Sequence, residues 1–227
     1  MGQKVNPRGF RIGPVFSWSS TWFATGKNYR QLLFSDIGLR QELMSRLKSA
    51  GLALVEIDRS INKIKITLHV SRPGVVIGRG GSGLEDLKKY IEKFLRTHSM
   101  VKDPYQPKGS AMASNFKVEV DVEPVKEPNL NAYLVAVNIA DQLARRMPHK
   151  RVCNQTIERI MSAGAGGAKI ALAGRIAGAE IARREKFQAG TVPLSTIREE
   201  VDYASVPSLT KSGYIGVKVW ICKKAKN

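Results

Sequence analysis

Cysteine and histidine, which build many catalytic and metal sites, are scarce in this chain of 227 residues: there are two of the former and three of the latter. They form no CxxC, HxxxH or mixed pair at the spacing of zinc ligands. The chain also lacks the GxSxG and HExxH motifs of hydrolases. The sequence therefore predicts no metal site and no catalytic triad, and it indicates that Cys153 and Cys222 are packed, reduced thiols.

Long apolar runs are absent as well. No stretch approaches the ~20 apolar residues that a membrane-spanning helix needs. The first residues contain no apolar segment of the kind found in signal peptides, and no lipidation motif is present. We therefore expect no membrane-spanning segment and no lipid anchor.

Negative charge is in short supply, because 19 acidic residues stand against 37 Lys and Arg and leave a net charge of +18. Such an excess repels itself unless a polyanion neutralises it. Nucleic acid is therefore the leading partner class, and an anionic membrane surface comes second. The hydrophobic content of 43% is enough for ordinary cores, and the length fits one large or two small domains.

Glycine is most concentrated at Gly78–Gly83, where four glycines fall within six residues between an apolar run and an amphipathic helix. Glycine adopts positive φ without steric cost and lets a ligand approach the backbone, so a phosphate is the expected ligand. The segment Ser82–Glu85 matches a capping box, which predicts that the positive end of the helix dipole faces the glycine turn. Arg79 adds a full charge.

Two phosphate-binding motifs fit these letters. Gly78–Gly83 matches the dinucleotide pattern GxGxxG, with Asp103 at the distance of a ribose-binding acid. Gly78–Gly81 matches the GxxG loop of KH domains, which clamps about four nucleotides. The context favours the KH motif, because Pro73 leaves only three residues for the strand that a dinucleotide turn requires. A glycine turn without any ligand stays open as a third interpretation.

The elements around this turn follow a recognisable order. Periodicity predicts a helix over 36–51, two alternating strands joined at Ser60–Asn62, a short helix, the glycine turn, a long helix and a strand from Phe116. Residues 100–114 are polar and contain proline and glycine, which predicts a loop or insertion. The order of elements resembles that of the type II KH domain.

The whole chain is accordingly predicted to be α+β and to have three parts. Residues 1–35 form a basic, aromatic arm, residues 36–125 a type II KH domain with an insertion at about 97–114, and residues 126–227 a second two-layer α/β domain with a mixed or antiparallel sheet. The arm has no acid before Asp36. Its interleaved aromatic and basic residues suit either contact with RNA or docking on the protein's own domain, and both stay open.

Two basic stretches stand out in the C-terminal part. Four positive charges fall within seven residues at a helix break, namely Arg145, Arg146, Lys150 and Arg151. A charge run is usually a solvated helix face, but the absence of acids from 143 to 157 favours contact with a polyanion. The segment Gly174–Arg184 combines small residues with three arginines, which suggests that its backbone approaches a phosphate. Ala168 breaks the P-loop pattern of the glycine-rich segment before Lys169. This segment is instead predicted to end a helix and turn tightly into a strand over 170–173.

Three groups of strings together resemble the family of the bacterial-type third protein of the small ribosomal subunit, over nearly the whole chain. They are Met1–Pro7 with Ser20–Phe23, Arg72–Gly78, and Gly174–Arg183 with Gly190–Leu194 and Gly216–Trp220. The resemblance implies a non-catalytic constituent of the subunit head that binds small-subunit rRNA and lines the mRNA entrance, assisting passage or unwinding. It implies the tenth and fourteenth small-subunit proteins as neighbours, no cofactor, no homo-oligomer, and a cytoplasmic or organellar ribosome as the location.

The expected site residues combine the charge pattern with this resemblance. Those expected to bind rRNA are Lys4, Arg8, Arg11, Arg72, Gly78, Arg79, Gly80, Gly81, Arg175, Arg183 and Arg184. Those expected at the mRNA entrance are Arg145, Arg146, Lys150 and Arg151. The chain departs from the family at Gly80 and Asn154, where many relatives have a basic residue. A nucleotide-dependent enzyme and a free RNA chaperone are the competing functions.

Overall fold

A computed structural model describes residues 4–60, 63–99 and 117–224. The predicted turn residues Ile61 and Asn62, the acid Asp103, and most of the predicted insertion lie outside the described residues. The chain divides into two units, one from Ser19 to Lys126 and the other comprising the residues up to Trp18 and those from Glu127 on.

The described residues form six helices and eight strands, apart from short 3₁₀ turns. In chain order they are α1 (Pro7–Phe10), β1 (Ser20–Thr21), α2 (Gly26–Arg46), β2 (Leu52–Arg59), β3 (Lys63–Val70), α3 (Pro73–Ile77), α4 (Ser82–Ser99), β4 (Lys117–Pro124), α5 (Ala132–Ala144), α6 (His149–Ser162), β5 (Ala165–Gly174), β6 (Arg183–Gly190), β7 (Val201–Thr210) and β8 (Gly213–Lys223).

The first unit has the element order predicted for a type II KH domain. Its sheet runs β1-β2-β3-β4, with β2 and β3 antiparallel and the two outer pairs parallel. Alternate residues of β3 such as Ile66 and Leu68 are fully buried against Leu43 of α2 and Ile91 of α4. Each such side chain contributes roughly 1.5–3 kcal/mol by leaving water. The opposite face of the sheet is exposed to solvent and carries ion pairs between β3 and β4.

The second unit is a two-layer domain, as predicted. Its four strands run in the order β6-β5-β8-β7 and every pair is antiparallel, and α5 and α6 contribute to the core on one side of this sheet. Ile139 and Ile160 from the helices meet Ile170, Leu172 and Val217 from the strands, and all five are fully buried. Asn131 begins α5, because its side chain accepts hydrogen bonds from the backbone N–H groups of two residues in the first turn.

Strand β6 was not predicted, and β5 begins earlier than expected. The glycine-rich segment before Lys169 was interpreted as a turn, but β5 already starts at Ala165. A Cβ on Gly167 would overlap the backbone of Thr191, so this glycine serves a close approach of two extended segments and not a turn. The exposed edge strand β6 alternates in burial, but its many charged residues hide the period.

The prediction that residues 1–35 form a separate arm is wrong in two respects. Residues from Gly26 on belong to the long helix α2, and the residues up to Trp18 fold with the C-terminal unit. The N-terminal half of α2 lacks the buried stripe that reveals most helices, because Tyr29, Leu33 and Phe34 are exposed. Thr25 is a residue type that often precedes a helix, but its side chain makes no cap hydrogen bond, and no apolar period follows it to mark the start.

Part of the predicted arm docks on the KH unit through side-chain hydrogen bonds. Arg40 donates to the carbonyl oxygen of Ser19 (2.7 Å) and to that of Val55 (2.5 Å), which joins the segment before β1 to β2. The indole of Trp22 donates to a carboxylate oxygen of the buried Asp36 (2.8 Å), which also pairs with Arg59. Docking on the KH unit therefore accounts for the position of Trp22, but it does not account for the exposed aromatic side chains of the same segment.

Candidate nucleic-acid interface

The glycine turn of the KH unit combines two kinds of glycine. Gly78 and Gly83 lie where the backbones of α3 and α4 meet, and a Cβ on Gly83 would come 2.6 Å from the carbonyl oxygen of Val76. Gly80 and Gly81 have φ of 63° and 84°, and a Cβ on either would meet open space. The first pair therefore serves packing, whereas the second pair keeps the outer backbone bare.

This turn faces solvent and carries positive charge. Arg72, Gly78, Arg79 and Gly80 are exposed and Gly81 is half-buried. Within the described part of the chain, the guanidinium of Arg79 makes no ion pair. A bare backbone next to an uncompensated cation is the geometry that a sugar-phosphate strand can use.

The helix after the turn begins differently from the prediction. Ser82 is itself helical (φ −57°, ψ −38°), and its hydroxyl donates to the carbonyl oxygen of Arg79 at 3.0 Å. The capping box predicted over Ser82–Glu85 is therefore wrong, because the serine oxygen acts as a donor to the turn and does not cap the helix. The hydroxyl instead fixes the conformation of the turn.

The structure also separates the two phosphate motifs. A dinucleotide turn requires a strand directly before the first glycine. The residues before Gly78 form the short helix α3, which Pro73 begins. The dinucleotide interpretation is therefore wrong and the KH interpretation agrees with the fold. Val75 and Ile77 of α3 are 57% and 39% exposed beside the turn, and nothing in the sequence pattern indicated that these apolar side chains would face solvent.

The four cations predicted at the mRNA entrance are close together in the C-terminal unit. Arg145 and Arg146 lie in the link between α5 and α6, and Lys150 and Arg151 lie in the first turn of α6. All four are exposed. Asn154 follows Lys150 at i+4 and is exposed too, so a basic residue there would extend the same helix face.

An open cleft of about 530 Å³ in the C-terminal unit is lined by residues that were predicted to belong to two different sites. Arg146 and Arg175 both line the cleft, and Lys211 lines it from the turn between β7 and β8. Arg175 is held in place by hydrogen bonds from its guanidinium to the carbonyl oxygens of Ala179 (2.8 Å) and Ser212 (3.4 Å). Lys211 was missed because an isolated lysine in a turn forms no pattern.

Two further arginines at the start of β6 differ in their surroundings. The Nε of Arg183 lies 2.9 Å from Oε1 of Glu185, whose other oxygen lies 2.9 Å from Nε2 of His149 at the start of α6. The charge of Arg183 is therefore partly compensated within the domain. Arg184 alternates to the other face of β6 and is exposed.

The N-terminal segment requires a correction, because Arg11 is fully buried. Its guanidinium donates to five backbone carbonyl oxygens, at distances of 2.7–3.1 Å. They belong to Pro7, Pro193, Leu194, Thr196 and Glu199. The prediction that Arg11 binds RNA is wrong, because a fully buried guanidinium surrounded by backbone carbonyl oxygens cannot reach a phosphate. Lys4 is exposed, and half-buried Arg8 lies 5.3 Å from the ring centre of Phe16.

The thiols behave as packed side chains. Both cysteines are buried, and burial raises the pKa of Cys153 to about 12. Burial also raises the pKa of Cys222, and the carboxylate of Glu199 adds to this effect. In the described ranges no group of three or more His, Cys, Asp or Glu side chains could hold a metal ion, and no helix there is long and apolar enough to cross a membrane.

Comparison with known proteins agrees with the fold of both units. Residues 38–130 match the family model described as KH domain, and residues 139–221 match the one described as Ribosomal protein S3, C-terminal domain. The protein of Persephonella marina named small ribosomal subunit protein uS3 is 44% identical over 226 residues, covering 100% of this chain and 92% of its own. Proteins of the same name from Desulforamulus reducens and Clostridioides difficile are 42% and 44% identical over 223 residues, which is 98% of this chain and 92% and 75% of theirs.

A KH domain with an exposed glycine turn, joined to a basic S3-type domain, defines a protein of the RNA-binding, non-catalytic class. Identity above 40% over nearly the whole length then specifies the family. The chain belongs to the uS3 family of small ribosomal subunit proteins, whose members are structural constituents of the ribosome.

Proposed function

We propose that this protein binds small-subunit rRNA in the head of the subunit and lines the entrance for mRNA, within a cytoplasmic or organellar ribosome. The observation that supports rRNA binding best is the exposed turn Gly78–Gly81, with its bare backbone and the cation Arg79. The net charge of +18 supplies the general attraction, because each Lys or Arg that meets a phosphate releases a counterion. Glycine backbone and arginine then fix the position of the strand.

Sedimentation of an affinity-tagged copy tests the ribosomal part of this proposal. The tagged protein is expected to run with small subunits in a sucrose gradient and to be retained at moderate salt. Protein that stays in the light fractions while intact small subunits sediment below it would support a free RNA chaperone instead. The tenth and fourteenth small-subunit proteins are the neighbours expected to be crosslinked to it.

The role at the mRNA entrance rests on Arg145, Arg146, Lys150 and Arg151. These four exposed cations lie at one helix break, and within the described residues none of them makes an ion pair. A strand passing this cluster meets several phosphate contacts without any base-specific group, which suits messages of every sequence. Cations that hold single-stranded backbone also favour the unpaired form of a hairpin, which is how the cluster would assist unwinding.

A double variant separates this role from assembly. Lys150→Ala with Arg151→Ala is expected to leave subunit assembly largely intact and to slow translation of messages with a stable hairpin relative to unstructured ones. Lys63→Ala with Lys65→Ala is the matched control, because it removes two lysines that already pair with Glu119 and Asp121. Equal rates on both kinds of message in the first variant would contradict a role in unwinding.

A further inference from the structure

The face of the C-terminal sheet opposite α5 and α6 is here called the outer face. It includes Arg184, one of the predicted rRNA-binding residues, and other cations that were not predicted to bind RNA. Strand register arranges twelve of its residues in three rows across β6, β5, β8 and β7. The rows are Gln188, Lys169, Trp220 and Tyr203; then Lys186, Ala171, Lys218 and Ser205; then Arg184, Ala173, Gly216 and Pro207. Lys169 and Trp220 are 51 positions apart in the sequence, so only the sheet brings these residues together.

Four of these twelve positions are Lys or Arg and none is acidic. Lys186, Lys218 and Arg184 are exposed, and Lys169 lies between them, half-buried. Burial lowers the pKa of Lys169, and the positive charges of Lys4 and Lys186 lower it further. The outer face therefore collects like charges without carboxylates to balance them, which destabilises the isolated protein and is relieved by an anionic partner.

Two acids just before β7 do not offset this surplus. Glu199 and Glu200 lie beyond the first of the three rows, where Tyr203 represents β7. The carboxylate of Glu200 already lies 2.5 Å from the ammonium of Lys223, and Glu199 approaches the thiol of Cys222. Both acids therefore lie at the end of the sheet, where Glu200 pairs with Lys223 and Glu199 contacts Cys222.

Two aromatic rings lie in the first row among the cations. The rings of Trp220 and Tyr203 are 5.3 Å apart and tilted by 41°, and the ammonium of Lys169 lies 5.5 Å from the centre of the indole. Both rings are half-buried, so part of each is open to solvent. A four-stranded sheet that carries aromatic rings and cations on its open face is the arrangement that RNA-recognition motifs use for bases and phosphates.

We propose that the outer face of the C-terminal sheet is a further RNA-binding surface, on which Lys169, Lys186 and Lys218 contact phosphates and Trp220 with Tyr203 contacts a base or sugar. An RNA strand fits this surface better than an acidic peptide, because the face combines ring surfaces with cations spaced along strands. The inference rests on the RNA binding proposed above, but it uses none of the residues of the glycine turn. Arg184 adds one more cation at the same face.

The experiment uses the full-length chain and measures the salt dependence of RNA affinity by fluorescence anisotropy. The test variant is Lys186→Gln with Lys218→Gln, whose side chains are exposed and outside the core. The control, Lys63→Gln with Lys65→Gln, removes the same number of lysines from the wet face of the other sheet. One probe is a transcript of the head domain of small-subunit rRNA, and the other is an unstructured single-stranded RNA of the kind found in messages.

For the test variant, the slope of log affinity against log salt is expected to fall by roughly 1.4 for the single strand and about 1.8 for helical RNA, since each lost contact removes about 0.7–0.9. The control is expected to keep the parent slope. A lower slope with the rRNA probe alone would assign the surface to rRNA. A lower slope with both probes would show that the surface also binds single-stranded RNA of the kind found in messages. Slopes equal to the parent's with both probes would overturn the inference.

Lysine acylation followed by mass spectrometry gives an independent readout on the unmodified chain. Lys186 and Lys218 are expected to lose reactivity when RNA is bound, and Lys63 and Lys65 are expected to keep theirs. Arg79→Ala, measured in the same salt titration, separates RNA binding by the glycine turn from RNA binding by the outer face. A lower slope for Arg79→Ala with a parental slope for the test variant would reject the outer face and leave the proposed function standing, whereas the reverse would reject the glycine turn alone.

Discussion

Replacing Arg11 by methionine tests whether this buried cation holds the N-terminal segment on the C-terminal unit. Methionine retains most of the apolar stem but removes all the donors, so five carbonyl oxygens lose their partner. A hydrogen bond to a charged group contributes about 1.5–3 kcal/mol net. The desolvation of the buried guanidinium offsets part of the stabilisation from the five bonds, so their contributions do not simply add. Removing one partner of such a buried network costs about 3–5 kcal/mol, a large fraction of the roughly 5–15 kcal/mol that stabilises a domain.

Urea denaturation followed by far-ultraviolet circular dichroism measures this loss. With a urea dependence of about 2 kcal/mol per molar, the midpoint of the C-terminal unit is expected to fall by roughly 2 M. Arg8→Met is the matched control, because Arg8 lies in the same segment with its guanidinium over a ring, and it is expected to cost less than about 1 kcal/mol. A loss for Arg11→Met as small as that of the control would refute the structural role assigned to Arg11.

Three further changes follow from the structure. Gly83→Ala brings a Cβ to 2.6 Å from a backbone oxygen, so it should lower the free energy of unfolding of the KH unit by about 1–3 kcal/mol in urea titration, and an unchanged midpoint would contradict the contact. Because burial raises the pKa of Cys153 from its usual 9.0 to about 12, stability should fall as pH rises through this window, and it should fall less in Cys153→Ala; identical pH profiles would contradict the burial. Asn154→Lys should speed translation of hairpin-containing messages, and no change would mean that this helix face does not reach mRNA.

The sequence predicted the KH unit well because its signals are local. Alternation in β3 and the glycines of the turn specify their structure within a few residues, and the buried Ile66 and Leu68 confirm the predicted face. The prediction failed where the deciding partner is distant in sequence. Arg11 has the composition of an RNA contact, and nothing near it indicates that the carbonyl oxygens of residues 193–199 surround it.

The outer face of the C-terminal sheet could not be predicted from spacing for a related reason. Lys169, Lys186 and Lys218 stand 17 and 32 residues apart, and no periodicity connects them. Their proximity depends on the pairing of Ala171 with both Lys186 and Lys218, which is a matter of register between three strands. Register depends on the core packing of the opposite face, and a single sequence does not specify that packing.

The most direct test of the account is the salt dependence of rRNA binding by Arg79→Ala, because the proposed grip on the sugar-phosphate strand depends on the turn Gly78–Gly81. The side chain of Arg79 is exposed, so the circular dichroism and urea midpoint of the variant are expected to match the parent's. The slope of log affinity against log salt is expected to fall by about one unit, which corresponds to one lost phosphate contact. A slope equal to the parent's in a folded variant would contradict the claim that this turn holds RNA.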